Sequence, residues 1–209
     1  MLQVARTSRL VFCFLLLAVL VFSPGAIQAA GITDGALGIP WGASPSQARQ
    51  LMEQNGYTFV VQQNEAGSHG LIPVFFFNGR YASYPAQVGV KTENNQMFEL
   101  EATLWEAENA GLLDEPFRVL KRLLTDKYGP WTQDVSRNMP VECSKGNKYT
   151  VPIIQYQWNN MGTAGLDINL STTPAFSCPS SFKFPANVRV TYTNNALYEK
   201  LKAQSQQKI

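Results

Sequence analysis

Between Met97 and Trp105, the apolar residues Phe98, Leu100, Ala102 and Leu104 alternate with Glu99, Glu101 and Thr103. Successive side chains of a strand point to opposite faces, so this stretch buries one face and wets the other. A chain built around such a strand needs an antiparallel sheet covered on one side and open to water on the other. The flanking sequence supplies partners. Gln87–Val90 precedes it through Glu93-Asn94-Asn95, a hairpin signal. Val74-Phe75-Phe76-Phe77 runs into Asn78-Gly79 and then Arg80–Tyr84. Asn-Gly suits a type I′ turn, in which both central residues have positive φ. This predicts a hairpin turn at Asn78-Gly79, and a cost of about 1 kcal/mol or more for Gly79→Val. Tyr57–Val61, Tyr149–Trp158, Gly165–Ser171 and Asn187–Thr193 are further strand candidates, with Asn159–Thr163 as the turn between the second and third of these.

Helices punctuate these strands. Ser44-Pro45-Ser46-Gln47 carries a cap, a proline for the first helical position and a capping-box glutamine. Ala48, Leu51 and Met52 follow on one face, and Asn55-Gly56 ends the helix. A second helix begins near Asp114 and keeps Phe117, Leu120, Leu124 and Tyr128 on one stripe until Tyr128-Gly129-Pro130 stops it. A short third helix is expected over Ala196–Ala203. The fold class is therefore α+β: one antiparallel sheet with helices packed on one face. The order of elements reads as a degenerate duplication of a helix-plus-strands unit.

One segment carries a family likeness. Leu37-Gly38-Ile39-Pro40-Trp41-Gly42-Ala43-Ser44, leading into the helix, resembles the start of small bacterial envelope proteins in which a Trp-Gly-x-Ser turn caps the first helix. Tyr128-Gly129-Pro130, Trp158 and Tyr192 fit the same outline, which is similar to beta-lactamase-inhibitor-like domains. The likeness is strong over about eight residues and holds elsewhere only in outline, and the lipidation cysteine of many relatives is missing. It implies an envelope module that binds other macromolecules.

The first thirty residues point the same way. Arg6 and Arg9 precede an apolar run of about 13 residues, Leu10 to Phe22, followed by Ser23-Pro24-Gly25 and Ile27-Gln28-Ala29-Ala30. This is the order of a secretory signal peptide, with cleavage expected after Ala29. The run falls short of the roughly 20 residues that span a bilayer, so no membrane span is expected after cleavage. The chain divides accordingly into a signal peptide, 1–29, and a single α+β domain, 30–209, expected in the periplasm or secreted. Loss of residues 1–29 removes Arg6, Arg9 and no acid, leaving basic and acidic side chains equal in number. A neutral domain has no electrostatic footprint for nucleic acid, and that partner is set aside.

Cys13 leaves with the signal. Cys143 and Cys178 remain, and in an oxidising compartment they read as one structural disulfide. Redox pairs are usually close in sequence, whereas these stand far apart.

The chain carries few signals of chemistry. His69, the only histidine, lies in Ala66-Gly67-Ser68-His69-Gly70 and has no ligand-spaced companion, so no metal, cofactor or catalytic residue is assigned. Glu99 and Glu101 share a strand face about 7 Å apart, near the separations of glycosidase carboxylates. They are neighbours on one strand, not opposed across a cleft, and read as a solvated face. Phe75, Phe76 and Phe77 cannot all face one side. With Tyr81 and Tyr84 across the turn they form a candidate aromatic binding surface. The resulting expectation is an exported, non-enzymatic envelope protein that binds a protein or ligand. A carboxylate-based hydrolase and a structural or stress protein of the envelope are the alternatives.

Overall fold

The computed structural model describes residues 35–67, 70–108, 113–144, 147–161, 165–178 and 183–206. Residues 1–29, expected to form a signal peptide, and His69 lie outside them. The chain runs β1 (Gly35–Ala36), β2 (Ile39–Pro40), α1 (Pro45–Gln54), β3 (Thr58–Gly67), β4 (Gly70–Tyr81), β5 (Tyr84–Glu93) and β6 (Gln96–Trp105). There follow α2 (Asp114–Tyr128), β7 (Gln133–Asp134), β8 (Arg137–Ser144), β9 (Asn147–Met161) and β10 (Leu166–Thr173). Two short strands, β11 (Phe176–Ser177) and β12 (Lys183–Phe184), lead to β13 (Asn187–Asn194) and α3 (Asn195–Gln206). The class is α+β.

One large antiparallel sheet holds nine strands in the order β3-β4-β5-β6-β13-β10-β9-β7, with β8 also paired to β9. The centre is β6 against β13, with Leu104 opposite Val188 and Leu100 opposite Tyr192. Alternation is strict there: Val188, Val190 and Tyr192 are buried while their neighbours are half-exposed. Val88, Val90, Leu100, Ala102, Ile168 and Leu170 belong to one buried cluster with Ala48 and Met52 of α1 and Leu120 and Leu124 of α2.

The helix ends follow the sequence. Ser44 Oγ accepts from the Gln47 N–H, and the Gln47 side chain accepts from the Ser44 N–H, a complete capping box. Gly129, at φ 81°, ends α2, and its carbonyl accepts from Trp158 Nε1 at 2.8 Å. The lead-in segment is tied to β6: Gly42 N–H donates to Met97 O, and Met97 N–H donates to Ala43 O, both at 2.9 Å.

The turn expected at Asn78-Gly79 is not there. Asn78 pairs with Gln87 and Gly79 with Ala86, and β4 continues to Tyr81. The turn residues are Ala82 and Ser83, with φ 48° and 73°. Register explains the choice. A turn at Asn78-Gly79 would place Arg80 opposite Phe77, which is fully buried; the observed turn places Val88 there. The Asn94-Asn95 turn is where it was expected, with φ 49° and 60°. Asn159 lies within β9, which runs on to Met161, and the following residues 162–164 are outside those described.

Gly79 is still intolerant of a side chain, for another reason. A Cβ there would fall 2.3 Å from Cδ1 of the Tyr57 ring. Tyr57 cannot easily move, because its hydroxyl donates to Arg80 O at 2.7 Å. Gly79→Ala is expected to cost about 1–3 kcal/mol through overpacking. In a Tyr57→Ala background, urea unfolding should show that cost falling close to zero. An unchanged cost would mean that backbone conformation, not the ring, excludes the side chain.

Candidate functional site

The half-exposed residues of the central strands share the open face of the sheet. Register sets them in rows. Lys91 lies opposite Glu99, which lies opposite Thr193 and then Asp167; Glu101 lies opposite Thr191 and then Asn169. Arg189 sits between Thr103 and Ser171, and Ser171 faces Gln155 of β9. A floor of hydroxyls, amides and a few charges results.

Two hairpins wall this floor. β9 is long enough to serve three partners: residues 154–161 pair with β10, residues 156–157 also pair with β7, and residues 147–153, beyond the end of β10, pair with β8. The β8–β9 arm brings Arg137, Met139, Val141 and Ile153 to one side of the concavity. The β11–β12 hairpin brings Phe176, Phe184 and Pro185. Phe176 and Phe184 stack at 4.3 Å between ring centroids and 9° between planes. Cys143 and Cys178 are bonded, with Cα atoms 5.3 Å apart. Cys143 belongs to β8 and Cys178 follows β11, so the bond ties one wall to the other. The enclosed groove measures about 630 Å³, and Glu99, Asn169, Arg189 and Thr191 are on its lining.

The two glutamates of the hydrolase alternative are both engaged. Glu99 takes Lys91 Nζ at 2.9 Å and the Thr193 hydroxyl at 3.0 Å. Burial alone would pull the Lys91 pKa down. The Glu99 carboxylate, with weaker help from Glu101 and Glu65, more than offsets this and holds it above the ordinary lysine value. Glu101 accepts from the Thr103 hydroxyl at 3.2 Å. Arg189 Nε lies 3.2 Å from Glu101, close enough for an ion pair but not aligned as a hydrogen bond. Arg137 makes no ion pair among the described residues.

The five aromatic residues expected to form one binding surface do not share one. Phe77 and Tyr81 are buried in the core, and Phe75 and Tyr84 pack against it. Strand parity sets this, since Phe75 and Phe77 point the same way as Val88 and Val90 across the ladder. The Tyr81 and Tyr192 hydroxyls meet at 2.5 Å, and burial pushes both pKa values up. Phe76 alone of the phenylalanine triplet takes the other face, half-buried beside Gly89, whose missing side chain leaves room for the ring.

A second concavity, of about 420 Å³, lies between Trp41 and the Gln47, Gln50 and Gln54 side of α1. Gln47 is already committed there to the helix cap. No group of three or more histidine, cysteine or acidic side chains able to hold a metal occurs among the described residues. No helix among them is long and apolar enough to cross a membrane. No known protein family, curated protein or solved structure matches the chain.

Proposed function

We propose that this is an exported, non-enzymatic envelope protein whose working surface is the walled groove on the open face of the sheet. The observation that carries the reading is the Cys143–Cys178 bond, which links the two hairpins that form the walls. A cross-link placed there keeps a concave site in shape before anything binds, which lowers the ordering cost of binding. The bond also fits an oxidising compartment, as the Arg6-Arg9 and Leu10–Phe22 signal pattern does. A binding role is favoured over hydrolysis because Glu99 and Glu101 are neighbours on one strand and each already has a cationic partner.

The reading includes the duplication. α1 is followed by β3-β4-β5-β6, and α2 by β8, β9, β10 and β13, the last strands of the two sets pairing at the sheet centre. With helices on one face of a doubled sheet, the other face stays open for a partner. The Leu37–Ser44 lead-in supports placing the chain beside small bacterial envelope proteins similar in outline to beta-lactamase-inhibitor-like domains.

The test is site-specific cross-linking in the producing cell. A benzophenone side chain at Thr191, on the groove floor, is expected to give a discrete adduct, and one at Lys200 on α3 none. Adducts of equal yield from both positions, or none from Thr191, would remove the groove as the working surface.

A further inference from the structure

We propose that the groove takes an acidic oligosaccharide, an assignment that rests on reading the groove as a binding site. The floor is rich in neutral groups that both donate and accept: Gln155, Asn169, Ser171, Asn187, Thr191 and Thr193. The Gln155–Asn169 bond, at 3.2 Å, uses one donor and one acceptor of two amides that together offer more. Protein interfaces are built differently. Their anchors are tryptophan, tyrosine and arginine, while serine and threonine contribute little; here Trp105, Arg137 and Arg189 are outnumbered on the lining by hydroxyl and amide side chains. A hydroxyl-and-amide floor suits a ligand that is itself dense in hydroxyls.

Charge narrows the class. The charged side chains on the groove's lining are Glu99, Arg137 and Arg189, one net positive charge; Glu99 is held by Lys91, and Arg189 lies beside Glu101. Arg137 on the β8 wall has no such partner among the described residues. Its planar fork matches one carboxylate. The Phe176–Phe184 stack offers a flat apolar surface for the C–H face of a sugar ring. A volume of about 630 Å³ falls in the range of small-ligand sites, roughly 300–1,000 Å³, not of a protein footprint.

Isothermal titration calorimetry on the purified, disulfide-intact protein tests the assignment with three probes: tetragalacturonate, cellotetraose and a tetraglutamate peptide. Tetragalacturonate is expected to bind saturably, cellotetraose about tenfold more weakly, and tetraglutamate not at all. Arg137→Gln should erase the preference for the uronate, so that tetragalacturonate and cellotetraose bind with similar affinity. Asn169→Ala should weaken both sugars by about tenfold or less, with thermal melting confirming the fold. No sugar binding up to about 10 mM, or tetraglutamate binding as strongly as tetragalacturonate, would overturn the proposal. The two readings fail separately. A Thr191 adduct without sugar binding leaves the groove as a binding surface for another partner, whereas loss of both signals removes both.

Discussion

Converting Cys143 and Cys178 together to serine is expected to lower the unfolding free energy by about 4 kcal/mol. The two residues are 35 positions apart, and the entropy of closing a loop of that length gives this figure. For a domain of this size the melting temperature should fall by about 8–16 °C. The bond has a second effect that stability alone does not capture. β8 pairs only with β9, at the part of β9 that runs beyond β10, and β11 pairs only with β12, so the β11–β12 wall has no ladder to the central strands. Without the bond that wall separates from the β8–β9 arm independently of the core. Binding at the groove should then weaken even at temperatures where the variant remains folded. Circular dichroism melts and titration of the same sample distinguish the two effects. A variant that melts within about 1 kcal/mol of the parent and binds unchanged would show that the walls are held by something other than the disulfide.

Much of the scaffold was legible because its signals are local. The Ser44/Gln47 box, the Asn94-Asn95 turn, the Tyr128-Gly129-Pro130 stop and the Phe98–Leu104 alternation each depend on residues a few positions apart. The disulfide was legible from pairing and compartment. The turn at Ala82-Ser83 was not, since neither residue favours positive φ. That turn is imposed by register, because Phe77 needs Val88 and not Arg80 opposite it, and nothing within the hairpin sequence shows which partner is in the core. The sidedness of the aromatic triplet was hidden for a similar reason. Parity separates Phe76 from Phe75 and Phe77, but only the packing of α1 and Tyr57 decides which side is buried. β8 escaped notice because Pro140 and the charges of Arg137 and Glu142 obscure its pattern. The groove left no motif at all. Its floor is assembled from every second residue of four strands, and each strand read singly is a wetted face.

Trp158→Ala is expected to cost about 3–5 kcal/mol, the range for emptying a fully buried aromatic site. Trp158 lies opposite Ile168 in the β9–β10 ladder, and its ring belongs to the core cluster. Its Nε1–H donates to the Gly129 carbonyl, joining the strand to the residue that ends α2. Two losses therefore combine: a large apolar surface, and a partner for a carbonyl at a helix end. Trp158→Phe separates them. Phenylalanine retains much of the ring volume but has no donor, so it should cost about 1–3 kcal/mol, and hydrogen exchange should rise at the last turn of α2. Equilibrium urea unfolding of the three proteins gives the ranking, with Trp158→Ala the least stable. If Trp158→Phe is as damaging as Trp158→Ala, the hydrogen bond to Gly129 carries most of the coupling between strand and helix. If both variants unfold like the parent, Trp158 does not hold α2 against the sheet, and the core assignment of β9 fails with it.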